Sequence, residues 1–175
     1  MKKFILILII SISSLIAEQN NWKNVLQNDI QLHGHRNWIL VVDAAYPYQS
    51  KSAIKTIATG VTQIEVVKEV LNAVENASHV DAEIFLDKEI DFVPANEYPE
   101  IKQYKKQLNK LIDGKNVEKI LHEEMIEKID ESAKTFHILV LKSDMVIPYT
   151  SVFIRLDCGY WNGEQEKKIR TDMKK

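Results

Sequence analysis

Two hydrophobic periods alternate along the chain. Trp22, Val25, Leu26, Ile30 and Leu32 recur at near-helical spacing, which predicts a first helix closed by Gly34. Trp38 to Val42 is an unbroken apolar run rich in β-branched residues, as expected of a strand buried on both faces. The run stops at Asp43, and Pro47 blocks further pairing. A short strand is expected over 54–58. Thr62 and Glu65 then form a capping-box pattern, and Ile64, Val67, Val70, Leu71 and Val74 follow on one helical face. Residues 83–86 read as a strand. Pro99 opens a helix whose apolar stripe is Ile101, Tyr104, Leu108, Leu111 and Ile112, and Gly114 ends it. A short strand over 117–121 leads into a helix from His122 to about Glu131 that buries Met125, Ile126 and Ile129. Strands over 136–141 and 152–156 close the series, with Pro148 between them.

Strands alternating with helices predict a three-layer α/β/α domain around a mostly parallel sheet. The expected domain covers 18–161, followed by a polar tail over 162–175 that contains few apolar residues and is expected to be mobile. The first residues differ from the rest. Lys2 and Lys3 precede an apolar run from Phe4 to Ile10, and the stretch to Ala17 ends in small residues. This is the layout of a cleavable secretory signal over 1–17, so the mature protein is expected to begin near Glu18 and to be exported, periplasmic or secreted. The run is shorter than the roughly 20 residues a bilayer span needs, and Ser11, Ser13 and Ser14 interrupt it, so no membrane association is expected after cleavage.

Charge and cysteine content narrow the function classes. The formal charge is −2, and loss of Lys2 and Lys3 would make it two units more negative. Outside the tail no basic block stands out, which argues against a nucleic-acid partner. Cys158 is the single cysteine, so no internal disulfide can form, and its neighbours Asp157, Gly159 and Tyr160 offer no base or cation to activate the thiol.

In sheets of this kind, ligands bind beyond the carboxyl ends of the strands. Three segments place polar residues at strand ends or turns: Gly34-His35 through Asp43, His122-Glu123-Glu124, and Pro148-Tyr149-Thr150-Ser151. A histidine near a helix end is often only a solvated cap. Asp43 ends an apolar strand and therefore needs a partner, either backbone N–H groups of the following turn or a histidine. A metal reading also exists, with His33 and His35 as ligands and Asp43 or His122 as the third; the alternative for His33 is a place on the last helical turn, where it favours the helix dipole.

Taken together, the three segments resemble the RbsD/FucU family of sugar mutarotases. "LHGHRNWILVVDAAYP" is similar to the family's Gly-His, apolar strand, Asp-Ala-x-x-Pro pattern. "LHEEM" resembles the ribose branch, in which a His-Glu-Glu segment opens a late helix, and "IPYTSVFIR" resembles the Thr-Pro-Tyr-Ala-Asn stretch before the final strand. There are departures. Ser151 stands where the family has Asn, and Lys142-Ser143-Asp144 and further residues replace Thr-Gly-Glu. Extra residues occur around Phe92 to Tyr98 and at the C-terminus.

The resemblance implies an RbsD-like fold and an isomerase that opens and recloses the hemiacetal ring of a free monosaccharide, without cofactor. It implies His35 as general acid/base, Asp43 holding the His35 ring, and His122, Tyr149 and Ser151 as sugar-binding groups. An imidazole with a pKa near ~6.5 can give or take a proton close to neutrality. The resemblance also implies a homo-oligomeric ring with sites near subunit boundaries. Two other functions fit the sequence: an exported sugar-binding protein that has lost turnover, and a metal-binding accessory protein using His33, His35 and Asp43.

Overall fold

A computed structural model of the protein describes residues 22–174. The signal expected over 1–17 lies outside the described residues. Helix α1 covers 22–32. It is followed by β1 (Trp38–Val42), β2 (Ile54–Ala58), α2 (Gln63–Glu75), β3 (Val80–Asp87) and a 3₁₀ turn (Lys88–Phe92). Then come α3 (Ile101–Leu111), β4 (Val117–Ile120), α4 (His122–Ser132), β5 (Ile138–Lys142), β6 (Val152–Cys158) and α5 (Gly163–Asp172).

The six strands form one sheet in the order β2-β5-β1-β6-β3-β4. β2, β5 and β1 pair in parallel, as do β3 and β4, whereas β6 is antiparallel to both of its neighbours, β1 and β3. The reason lies in the connection that precedes β6. Residues 143–151 contain no helix and are too short for a crossover, which takes a dozen or more residues. The chain therefore turns back at the edge where β5 ends, passes over the end of β1 and enters β6 in the opposite direction. That loop forms one side of the site described below.

The pleat of β1 separates two cores. Ile39 and Val41 join Trp22, Leu26 and Ile30 of α1, Val66, Val67 and Val70 of α2, and Ile101, Tyr104 and Leu108 of α3. Trp38, Leu40 and Val42 face the other way, against Met125 and Ile129 of α4, Tyr46, Phe85 and Phe153. All five residues of β1 are buried, as the apolar run predicted for a strand covered on both faces. The three layers are thus α1–α3, the sheet, and α4 with the β1–β2 connection. Lys51 ties that connection to α4 through Asp130 at 2.7 Å.

Local signals act where the sequence placed them. Thr62 accepts the Glu65 amide at the start of α2. Gly114 sits at φ +72° beyond α3, a backbone that suits glycine because a Cβ would be strained there. β3 begins at Val80, earlier than expected, because its first residues pair along β6 down to Cys158. The tail is corrected. The expectation covered its polarity but not a helix: residues 163–172 form α5. Asn162 and Gln165 close a capping box at its start, and Arg170 pairs with Glu166 at 2.7 Å one turn apart. None of its residues is buried, so capping and local pairs hold a helix that apolar periodicity could not reveal. Among the described residues no helix is long and apolar enough to cross a membrane.

Candidate active site

The carboxyl ends of the five co-directional strands and the amino end of β6 meet along one sheet edge, where a cleft of about 760 Å³ opens. Asp43, Tyr46 and Gln49 from the β1–β2 connection line one side. His122 and Ile126 of α4 line a second side, and Val146 to Tyr149 of the β5–β6 loop a third. His122 and Tyr149 touch edge to face, with ring centroids 5.6 Å apart and planes at 78°.

His122 is held twice by the end of β3. Its Nδ1 lies 3.1 Å from Asp87 Oδ1, and its backbone N–H donates to both carboxylate oxygens of Glu89 at 3.1 Å. Glu89 therefore caps the first turn of α4, a task the N-cap Leu121 has no side chain for. The Asp87 side chain is fully buried, whereas His122 is about one third exposed. Burial pushes the Asp87 carboxyl above the usual carboxylate range, outweighing the downward pull of His122. The hydrogen bond to Asp87 raises His122, against the smaller lowering effect of burial. An ionised Asp87 accepts from Nδ1–H and so leaves Nε2, which makes no hydrogen bond among the described residues, as the nitrogen free to exchange a proton.

Tyr149 is the second feature of the cleft. Its backbone sits at φ +58°, a left-handed conformation that costs a bulky residue on the order of 1–2 kcal/mol. The next carbonyl, Thr150 O, accepts from both Gln63 Nε2 and the Tyr104 hydroxyl, and the Thr150 hydroxyl donates to Ile147 O at 2.8 Å. Gln63 Oε1 in turn accepts from Ser143 at 2.9 Å. Gln63, Ser143, Thr150 and Tyr104 are all buried. This network grips the chain on both sides of the strained residue and holds the Tyr149 ring against His122.

Two buried polar atoms on the cleft wall meet no partner at hydrogen-bond geometry: the Tyr46 hydroxyl and the neighbouring Gln49 Oε1. Burial pushes the Tyr46 phenol up to about 12, so it is protonated and can donate.

Of the five site residues expected from sequence, the structure brings Asp43, His122 and Tyr149 to this cleft. Ser151 is buried at the start of β6 and is not among the lining residues. His35 lies elsewhere. It sits on the turn before β1, at the opposite edge of the sheet, and its Nε2 is 3.2 Å from Asp157 Oδ1 at the far end of β6. The five residues of β1 alone, at ~3.3 Å each, place roughly 16 Å between His35 and Asp43. Within one chain Asp43 therefore does not orient His35. Asp43 Oδ1 instead accepts the Ala45 N–H at 2.8 Å, the backbone partner that the sequence left open.

The metal candidates do not converge either. His33 is buried just past α1 with its pKa lowered by burial, while His35 is half in water and Asp43 lies at the other edge. Among the described residues no group of three or more His, Cys, Asp or Glu side chains is arranged to hold a metal ion.

Asp87, Glu89, Tyr46 and Gln63 were missed in the sequence. Asp87 had a signal: like Asp43, it ends an apolar strand and requires a partner. Gln63 read only as an early helix position, and nothing local tells that its amide crosses to Thr150.

A mixed α/β sheet carries a carboxylate–histidine pair at its carboxyl edge, beside an aromatic side chain and in a cleft of small-ligand size. The model of the RbsD / FucU transport protein family matches residues 23–155, and the chain belongs to this family. Among solved structures, Bacillus subtilis RbsD complexed with D-ribose matches with a TM-score of 0.56 at 16% identity, covering 78% of this chain and 92% of that one. FucU from Bifidobacterium longum matches with a TM-score of 0.54 at 13% identity, covering 79% and 96%. At these identities the likeness is one of fold. No curated protein matches the sequence.

Proposed function

We propose that this protein is a mutarotase or pyranase that interconverts ring forms of a free monosaccharide by acid/base ring opening. The observation that carries this is the Asp87–His122 pair, whose free Nε2 lies in the cleft of a chain belonging to this family. The D-ribose bound to the Bacillus subtilis relative agrees with a monosaccharide as ligand.

The chemistry needs one base and one acid. His122 Nε2 removes the proton of the anomeric hydroxyl while Asp87 stabilises the imidazolium that forms. The C1–O bond of the ring breaks, the ring oxygen takes a proton from the acid, and an open-chain carbonyl results. Rotation and reclosure give the other anomer or ring size, with the protons returned by the reverse path. Asp43 offers a carboxylate acceptor to sugar hydroxyls, and the Tyr149 face packs on the sugar ring. The reaction is neither redox nor group transfer, so it requires no cofactor.

The acid is His35 of a neighbouring copy in this proposal. His35 stands on a turn held by the Gly34 N–H bond to Asn37 Oδ1 and by the Arg36 N–H bond to Leu156 O, and its side chain is about half exposed. A side chain so presented, at the sheet edge away from its own cleft, can reach a cleft only in another copy. Such head-to-tail contacts close into rings when the rotation allows.

Saturation-transfer NMR on a panel of free aldoses tests the activity by reading exchange between ring forms directly. Wild type is expected to accelerate exchange of at least one pentose or hexose, and an absence of exchange across the panel overturns the isomerase reading. Mixing inactive His35→Asn and His122→Asn proteins is expected to restore part of the activity, since some sites then draw both histidines from intact copies. The export read from residues 1–17 also stands as a proposal, and N-terminal sequencing of the native protein should begin near Glu18.

A further inference from the structure

Next to the cleft of His122 lies a second one of about 640 Å³, between the start of α2, the exposed face of α3 and the β5–β6 loop. The two clefts share Tyr98, Val146 and Ile147, so they are adjoining compartments with a common rim. Each falls within the ~300–1,000 Å³ of typical small-ligand sites. The His122 cleft alone is of that size, and the second is space that its single sugar ring does not use.

The lining of the second cleft identifies its ligand class. Gln103 and Gln107, with Glu100, follow one face at the start and middle of α3. Both glutamine side chains are exposed and make no hydrogen bond among the described residues, so their amide donors and acceptors are available. Gln63 and Tyr104 form a floor made rigid by their bonds to Ser143 and Thr150. No Lys, Arg or His lines this cleft, whereas Glu100 and Asp144 do. A phosphate or carboxylate would meet negative charge there with no cation to offset it. A neutral polyhydroxylated group would meet paired amides beside the Tyr98 ring, the mixture that suits a sugar ring. Part of the cleft is also built from the stretches in which the sequence departs from the family pattern, since Tyr98 and Asp144 to Val146 belong to them.

We infer that the second cleft is a subsite for a second sugar ring, so that beside a monosaccharide the protein accepts, and favours, a reducing disaccharide or a free sugar carrying a substituent of similar size. This rests on the proposed ring-opening activity for what happens in the first cleft. The chemistry restricts where the second ring is attached. The anomeric hydroxyl of the reacting ring must remain free, because its proton leaves as the ring opens. The second ring is therefore joined through another hydroxyl, and a disaccharide linked through both anomeric carbons can bind but cannot react.

The test uses the whole protein with maltose, cellobiose, lactose and melibiose, against glucose and galactose, and with trehalose as the unreactive control. Ring-resolved saturation-transfer difference NMR reads binding whether or not turnover occurs. For at least one reducing disaccharide, both rings are expected to receive comparable saturation, and Gln103→Ala/Gln107→Ala should remove most of it from the non-reducing ring. Two ordinary hydrogen bonds correspond to about tenfold, so kcat/KM for that disaccharide should exceed that for its component monosaccharide by about that factor. The double variant should lose the advantage and keep monosaccharide exchange. Saturation confined to the reducing ring for every disaccharide overturns the inference, as does a variant that lowers both substrates equally. Exchange absent for all sugars while both rings are saturated overturns the activity and leaves the subsite standing.

Discussion

At the carboxyl edge of the sheet His122 meets Asp87, whose carboxylate is fully buried; at the amino edge His35 meets Asp157, with both side chains about half in water. The residue types are the same and the separations nearly so, at 3.1 and 3.2 Å. What differs is everything around them. Asp87 is enclosed by β3 and the β5–β6 loop, so its interaction with the imidazole is little screened, and it raises the His122 pKa. His35 and Asp157 are screened on most sides by solvent. The carboxyl-edge pair rests on a fully buried carboxylate beside the cleft, whereas at the amino edge both partners stand about half exposed to solvent.

The largest expected effect falls on the carboxyl edge. His122→Asn removes the base while keeping a polar side chain of similar size. It should lower ring-form exchange by ~10² to 10⁴ in NMR measurements. A loss below threefold would break the comparison, because the buried pair would then be structural.

Asp87→Asn should come next, at about 10² in exchange, and its pH dependence carries more information than its size. The base must be neutral, so wild-type exchange rises as pH increases through the raised His122 pKa. Removing the main cause of that rise moves the acid limb of kcat/KM to lower pH. The stability sign also follows. His122 has a folded pKa above its unfolded one, so its contribution is fully present below the unfolded value near ~6.5 and fades as pH climbs through the folded value. Asp87 is likewise raised, by burial, so its ionisation in the folded protein costs stability as pH rises from the unfolded carboxylate value through the folded one. Asp87→Asn should therefore melt no lower than wild type at pH 8 despite its lost activity. A sharply lower melting temperature there would show that the carboxylate holds the fold.

Gln63→Leu probes the support beneath the same edge. It withdraws a donor from Thr150 O and Tyr104 and an acceptor from Ser143, in a site closed to water. A cost of about 2 kcal/mol in urea unfolding is expected. KM should rise more than kcat falls, because Tyr149 loses its position while the His122–Asp87 pair is intact.

The difference between the edges also explains what was legible in the sequence. β1 and its burial on both faces followed from five apolar residues in a row. The placement of Asp43, His122 and Tyr149 followed from motifs that sit at strand and helix ends. The direction of β6 was not legible, since it depends on the helix-free connection from β5 and not on the strand's own residues. Asp87 and Gln63 act across 35 and 87 positions of sequence, and only the sheet order brings them to His122 and Thr150. His35 stood eight positions before Asp43 in a familiar motif, and that proximity in sequence suggested a contact. An extended strand does the opposite, carrying its two ends to opposite sides of the molecule. Likewise α5 carries a single large apolar residue, Ile169, so it has no apolar stripe and its helix was not legible from periodicity.

The smallest expected effect lies at the amino edge, and it sharpens the comparison most. Asp157→Asn removes a partner whose interaction with His35 is solvated on both sides, so stability should change by no more than about 0.5 kcal/mol. If His35 is the acid for a neighbouring cleft, Asp157 matters only through the orientation and charge of the ring it contacts. Exchange should then fall a few fold. The acid limb, which belongs to His122, should stay in place. A variant that moves the acid limb instead would mean that the two edges are coupled within one chain. Unaltered exchange in Asp157→Asn together with full activity in His35→Asn would reduce the amino edge to a solvated surface, leaving all proton transfer to groups in the His122 cleft.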